Sequence, residues 1–378
     1  MPAAIELRHR LHADPRLSGD EDDTAESVME ALPAGKVDVL AGTGRWISFD
    51  GEGPAIGLRA ELDALPIVER TGVSWSASGR LMHACGHDVH LAALVAVCRT
   101  AARVSVPRSI VAILQPREEV APSGGADVAG SGLLDELDAA IAAHVQPQLP
   151  SGVVGVTPGP TNAGTDVVDI VVTGVGGHAG YPHTTRDPVL ALSQVIVSLQ
   201  QLASRRVDPT VGTVLTIGQI QAGTTSNVVP DRARAKGSFR VMRDCDRSEL
   251  LAAMDEIVRH TALAHGCTAT LEVTPAEPVL SNDPDLAGAA ASWLRGSGHT
   301  VDETFRSFGA DDFSHYCHHT RGLMLFVGTD DGQLGNPGLH SDRFLPADAL
   351  VEPVAQALIA GYLGAITARA PSTGSPGP

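Results

Sequence analysis

The sequence predicts an α/β protein: a mixed-sheet domain whose chain is interrupted by an inserted α+β domain of ferredoxin-like order. Three observations carry this expectation. At 378 residues the chain is too long for a single compact core. Between Trp46 and His144, short apolar runs alternate with helical patterns, and a polar residue stands at the carboxyl end of each run. Beyond the small, turn-forming stretch at 158–164, the pattern changes to β-α-β-β-α-β, the ferredoxin-like order.

Each element has a local reason. Ile5, Leu7 and Leu11 among charged neighbours make a first helix over 3–13, ended near Pro15. A second helix, over about 20–32, opens with Asp20, Glu21, Asp22 and Asp23, which favour helix amides and read as a cap and a solvated face. Strands follow at 46–49 and 55–62, split by the turn Asp50-Gly51-Glu52-Gly53-Pro54. Alternation places Arg59, Glu61 and Asp63 on one side of the second strand, with a peripheral salt bridge expected for the first two. Asp63 is expected to support a metal-bound imidazole.

An apolar helix at 89–103 leads into strand 109–114, which ends at Gln115-Pro116-Arg117-Glu118-Glu119. A helix near 127–135 and a buried strand at 139–143 then deliver His144 at a strand's end. The inserted domain holds strands at 166–173, 211–219, 231–241 and 268–274 and helices at 187–203 and 247–264. The returning chain supplies helices at 283–296, 311–318 and 346–363 and the strand 322–327, which completes the first sheet. The domains expected are thus 1–163 with 276–366, and 164–275, followed by a disordered tail at 367–378.

Composition removes several function classes. A net charge of −17, from 44 acidic and 27 basic residues, repels phosphate backbones, so no nucleic-acid partner is expected. Lys36 and Lys236 are the only lysines, which leaves almost no candidate for Schiff-base chemistry. The five cysteines are odd in number and scattered, unlike a disulfide framework. No signal sequence or membrane span is expected, so the chain reads as cytoplasmic.

The chemistry concentrates in Leu81-Met82-His83-Ala84-Cys85-Gly86-His87-Asp88-Val89-His90. Cys85 and His87, separated by a glycine, can converge on one cation, and a thiolate with an imidazole suits zinc or a similar late first-row ion. His144, one of Glu118 or Glu119, and His340 can complete the set. Five ligands exceed the need of one tetrahedral ion, whereas two ions sharing a bridging thiolate use them all. Adjacent glutamates point apart in an extended segment, so one can bind metal while the other acts as general base toward the attacking water. Amide hydrolysis follows from this set.

The motifs resemble those of the M20 metallopeptidase family, specifically its amidohydrolase subgroup of aminoacylases and hippurate hydrolases. The matching text runs from His12-Ala13-Asp14-Pro15 through Leu58–Pro66, His83–His90, Gln115–Glu119, Gly176–His183, Asn227–Asp231, Gly309–Ser314 and Leu339-His340-Ser341. The resemblance implies a metallopeptidase-like catalytic domain and an inserted lid and dimerisation domain. It implies two divalent ions per chain, zinc, manganese, cobalt or nickel, held by Cys85, His87, Glu119, His144 and His340, with Glu118 as general base. It further implies that His178 stabilises the oxyanion in the site of a partner chain, and that Asn227 and Arg240 bind the substrate. The expected reaction is hydrolysis of N-acyl amino acids by a homodimer or higher homo-oligomer. The alternatives are a dipeptidase or aminopeptidase on the same scaffold, or an inactive metal-stabilised binding protein. The chain departs from the family text at Glu61, Arg117 and Asp311, where aspartate, alanine and glutamate are usual; Arg117 could attract an anionic substrate or turn to solvent.

Overall fold

The computed structural model describes residues 1–51, 53–208, 210–333 and 335–368. The chain divides into two compact units. One comprises Met1–Thr161, Leu280–Arg306 and the chain from Asp311 on; the other comprises Asn162–Val279 with Ser307–Ala310.

In the first unit, eight of the described strands form one mixed sheet. Its order is Lys36–Leu40, Gly44–Ser48, Ile110–Gln115, Ala55–Glu61, Leu137–Pro150, Arg321–Asp330, Val153–Gly155, Thr300–Asp302. The four central strands, from Ile110–Gln115 to Arg321–Asp330, run parallel. They are apolar because both faces are covered. Along Ile110–Gln115 the pleat sends Ile110, Ala112 and Leu114 into the core under helices Pro2–Ala13, His87–Ala101 and Val351–Thr367, and Val111 and Ile113 into the opposite core with Phe313 and Tyr316.

Helix Val351–Thr367, with the turn before it, is long and apolar enough to cross a membrane by composition, contrary to the expectation of no such segment. Most of that length is buried against helices Pro284–Gly296 and His87–Ala101, which is the reason for its apolar sequence. It extends to Thr367, the expected first residue of the tail, and residues 369–378 lie outside those described.

Two other expectations change. His144 does not end a strand: Leu137–Pro150 continues beyond it because Arg321–Asp330 pairs along its length, from Ala139 to Pro150. Strand Lys36–Leu40 was not anticipated, although Val37 and Val39 alternate with Lys36 and Asp38; it is a five-residue strand at the sheet edge, and its alternating valines face solvent instead of the core.

The second unit has a four-stranded antiparallel sheet in the order Thr213–Ala222, Arg232–Val241, Gly164–Thr173, Thr268–Pro275. With helices Pro188–Leu199 and Asp244–Ala264 this is a ferredoxin-like arrangement. Val168, Ile170 and Val172 alternate into its core, opposite Leu192, Val195, Met254 and Val258. Asp187 caps the first of these helices by accepting from the Val189 and Leu190 amides, with Pro188 at the first helical position.

Candidate metal centre and its surroundings

Strand Leu137–Pro150 and the loops that follow the other parallel strands of the first unit carry the expected ligands. Cys85 sits just before helix His87–Ala101, whose first residue is His87. Gly86 between them has φ of 83°, and a Cβ there would stand 2.5 Å from a Val145 methyl, so only glycine permits this turn. His144 projects from Leu137–Pro150, and Glu118 and Glu119 follow Ile110–Gln115. His340, in the left-handed conformation at φ of 64°, is held by its amide donating to Ala84 O at 2.8 Å.

The imidazoles are oriented from behind. His87 Nδ1 bonds the Asp63 main-chain carbonyl at 2.8 Å, and His144 Nδ1 bonds the Val145 carbonyl at 2.6 Å. Each bond assigns the proton to Nδ1 and turns Nε2, a free lone pair, toward the centre. His144 Nε2 is 3.5 Å from Cys85 Sγ, and His340 Nε2 is 3.3 Å from Glu119 Oε1. His87 Nε2 lies 3.8 Å from Glu118 and 3.9 Å from Glu119. Ligand atoms bound at about 2.1 Å around a tetrahedral ion stand roughly 3.4 Å apart, so these spacings fit ligands of shared ions.

Two groups of ligand atoms, each mutually within 4.8 Å, are Cys85 with His87 and His144, and Cys85 with Glu119 and His340. The thiol is their common vertex. His87 Nε2 and Glu119 Oε1 are buried without a hydrogen-bond partner, an arrangement that costs free energy until a cation fills it. The residues present fit a binuclear divalent centre.

The electrostatics agree. Burial, reinforced by Glu119, Glu118 and Glu61, pushes the Cys85 thiol well above its ordinary pKa, so a thiolate here needs cations beside it. Burial and then Glu119, Asp311 and Asp312 push Glu118 well up. Glu119 is held down against burial by His340 and His87. The glutamates thus differ in environment, and Glu118 stands between two groups, one with His87 and Glu119 and one with Asp311 and Asp312.

Asp63 supports the His87 imidazole as expected, but through its main chain. Its carboxylate Oδ1 is 3.7 Å from His87 Nδ1, while Oδ2 accepts from Ser18 Oγ at 2.7 Å and from the Glu119 amide at 2.9 Å. The main chain of Asp63 therefore holds the imidazole and its side chain holds the glutamate loop. The salt bridge of Arg59 and Glu61 is buried at the centre of the sheet instead of peripheral, because Ala55–Glu61 has a parallel neighbour on each side. Arg117 pairs with Asp127 and donates to Ala41 O at 3.4 Å, so its charge is already taken.

Sequence reasoning missed three supports. Arg59 also binds Asp312 at 2.6 Å and Gln115 at 2.9 Å. His90 bridges Glu61, at 2.9 Å, and the Val145 amide, at 3.0 Å, and it lies one helical turn after His87, a spacing that could have disclosed it. Glu21 was hidden inside an acidic run.

His178, Asn227 and Arg240 belong to the second unit. Gly177–His178 pairs with Val228–Val229, and the Ala179 amide donates to Asn227 O at 3.0 Å, so the first two residues are neighbours. His178 is exposed, its Nδ1 accepting from the Gly180 amide at 2.9 Å. Arg240 donates to Ser238 Oγ at 3.2 Å and to the Phe308 carbonyl.

Comparison with known proteins places these features in a lineage. The model of peptidase family M20/M25/M40 matches residues 57–357. An N-acetyl-L-cysteine deacetylase of Bacillus subtilis (strain 168) is 34 % identical over 334 residues, covering 86 % of this chain and 80 % of the relative. An N-acetyldiaminopimelate deacetylase of Leuconostoc mesenteroides is 31 % identical over 367 residues, covering 93 % and 94 %. A Bacillus subtilis crystal structure described as a dinuclear metal-binding peptidase from the M20 family superposes with a TM-score of 0.83 at 29 % identity, covering 97 % of this chain and 98 % of that one.

Proposed function

Since the chain belongs to peptidase family M20/M25/M40, we propose that it is a metal-dependent amidohydrolase that splits N-acyl amino acids into a carboxylic acid and a free amino acid. The observation that carries this reading is the pair of ligand groups meeting at Cys85 with a further carboxylate, Glu118, beside them. A purely structural metal site has no use for that extra group. The names of the relatives, deacetylases of N-acetylcysteine and N-acetyldiaminopimelate, support an N-acyl amino acid as substrate.

Cys85, His87, Glu119, His144 and His340 would hold two divalent ions. When bound, such ions polarise an amide carbonyl and make water a stronger acid. In our reading Glu118 takes the proton of the attacking water as its oxygen bonds to the carbonyl carbon. The same carboxyl then gives that proton to the nitrogen as the C–N bond breaks, which balances the hydrolysis. Asp63 keeps the glutamate loop and the His87 ring in place. His178 is assigned as a hydrogen-bond donor to the oxyanion, supplied to a second copy of the chain, with Asn227 and Arg240 holding the rest of the substrate. The second unit would accordingly be lid and dimer contact in a homodimer. The five cysteines are free, which supports the reducing cytoplasm as its location.

The test is a hydrolysis panel of N-acetyl, N-benzoyl and long-chain N-acyl amino acids beside dipeptides, with zinc, manganese, cobalt and nickel supplied in turn. Release of amino acid from at least one N-acyl substrate, abolished by chelation, is the expected result. Activity confined to dipeptides would transfer the assignment to a dipeptidase, and no activity under metal-replete conditions would leave a binding protein.

A further inference from the structure

One residue of the acidic run before helix Asp22–Ala31 is not on the surface. Glu21 is completely buried, and its two carboxylate oxygens are divided between two partners. Oε1 accepts from the main-chain amide of Arg117 at 2.8 Å, and Oε2 accepts from the Thr43 hydroxyl at 2.5 Å.

Arg117 is the residue immediately before the glutamate pair, and its φ is 55°, in the left-handed region that a side chain disfavours. Everything around it holds that conformation. Its amide is taken by Glu21, its carbonyl accepts from the Gly124 amide at 2.9 Å, and its guanidinium pairs with Asp127. The approach of Gly124 is so close that a Cβ there would stand 1.8 Å from the Pro116 carbonyl oxygen, so the loop closes only on glycine. On the other side Gly44 packs against Pro116, where a Cβ would meet the proline ring at 2.6 Å. The chain leaving strand Ile110–Gln115 is therefore turned through one left-handed residue in a fitted cradle. The very next side chain is Glu118.

We propose that Glu21 is a positioning residue for hydrolysis: by clamping the amide of left-handed Arg117, it sets the direction in which the Glu118 side chain enters the site. Among the described residues Glu21 accepts hydrogen bonds from Thr43 and Arg117, and it acts on Glu118 through the Arg117 peptide. The inference rests on the reading of Glu118 as general base. A carboxylate suits the task because its separate oxygens can bind the amide and the hydroxyl together, tying the 40–44 turn, the start of the second helix and the glutamate loop to one point. Without it, the Arg117 amide loses its acceptor in a half-buried site, and the left-handed φ is held only by the Gly124 bond, the Asp127 ion pair and the packing of the loop. Glu118 would then swing, and misplacement of a base by about 1 Å can cost as much as 10²-fold in rate.

The experiment compares Glu21→Ala, Glu21→Gln, Arg117→Gly and the Glu21→Ala/Arg117→Gly double variant in the full chain, loaded with metal. Amide hydrogen exchange over residues 113–121, metal content and the separate values of kcat and KM are measured. Glu21→Ala is expected to speed exchange at Arg117 and to lower kcat at least about tenfold while KM and metal content stay within about twofold. Glu21→Gln retains an oxygen acceptor for the amide and should keep kcat within about threefold. Arg117→Gly should restore part of the loss in the double variant, because glycine takes the left-handed conformation without strain. Unchanged exchange and kcat in Glu21→Ala would overturn the proposal. So would loss of metal and fold by Glu21→Ala and Glu21→Gln alike, which would make Glu21 a residue of general stability. A wild-type protein inactive on every substrate of the panel refutes the functional reading instead; exchange at Arg117 then decides the clamp independently.

Discussion

Replacing Arg59 with leucine should cost the first unit about 3–5 kcal/mol at pH 8, the range for stranding one side of a buried ion pair. The Arg59 side chain is fully buried and donates to Gln115 at 2.9 Å, to Asp312 at 2.6 Å and to Glu61, with Asp311 at 3.6 Å. Leucine fills part of the volume and leaves three carboxylates without their cation. Their escape is protonation, which bounds the damage: neutralising a carboxyl of ordinary pKa near 4.3 costs about 5 kcal/mol at pH 8 and about 2 kcal/mol at pH 5.5.

The pH dependence has a definite sign. Against burial, Arg59 and then His90 hold Glu61 well below the usual carboxylate range. A carboxyl depressed in the fold adds stability above its unfolded value and loses it as pH falls. In wild type that contribution is complete at both pH 8 and pH 5.5; what changes between them is the variant, whose stranded carboxylates, raised by burial without their cation, take protons more readily at pH 5.5, so its deficit should be largest at pH 8 and smaller at pH 5.5. Arg59→Lys, which keeps the charge and loses the planar fork, should fall between. Urea unfolding of chelated protein measures this, and tryptophan fluorescence reports the relevant unit because Trp46, Trp75 and Trp293 all lie in it. An unchanged midpoint at pH 8 would refute the reasoning; a deficit constant from pH 8 to 5.5 would assign the loss to packing instead of charge.

Other outcomes are expected on the same grounds. Elemental analysis of metal-replete protein should find two ions per chain, and Cys85→Ser should lose most of both metal and activity, since a hydroxyl is a poor anionic bridge. Glu118→Gln should retain metal and lose at least about 10²-fold in turnover, whereas Glu119→Gln should lose metal; opposite metal contents would exchange the two roles. His178→Ala should lower turnover at constant metal content, and mixed dimers of His178→Ala with Glu118→Gln chains should regain activity if the histidine serves a partner's site. In metal-free protein, burial lowers His83 to about 3 and His90 and His144 to about 4, so they stay neutral in the fold but take protons when unfolded. Their contribution is complete above about pH 6.5 and is lost on acidification, each at about 1.4 kcal/mol per pH unit, while the raised His12, His87 and His340 act in the opposite direction, so the drop of the urea midpoint between pH 6.5 and 5 should be smaller in His83→Gln than in wild type. An identical pH dependence in His83→Gln and wild type would contradict the burial of His83 as a neutral ring.

Periodicity and motif spacing determined a large share of this protein. The parallel strands Ala55–Glu61, Ile110–Gln115 and Arg321–Asp330 announce themselves as apolar runs because both faces are covered, and Asp187-Pro188 and Asp283-Pro284 mark helix starts by local capping chemistry. The ligand types could also be read directly, since Cys85-Gly86-His87 and Glu118-Glu119 bring their chemistry within a few residues of sequence. Tertiary structure decided what depends on distant partners. Leu137–Pro150 runs past His144 because a neighbouring strand satisfies its main chain, and no local signal records that neighbour. Asp63 gives its carbonyl to His87 and its carboxylate to the Glu119 amide, a division set by the path of two loops. Glu21 is the sharpest case. Its sequence neighbours make it look like one more solvated acid, yet folding carries it under a loop 96 positions away, where a main-chain amide and a hydroxyl each donate to one of its oxygens. A charge run fixes only the charge; whether each member meets water or a buried donor is determined by which segments the folded chain brings against it.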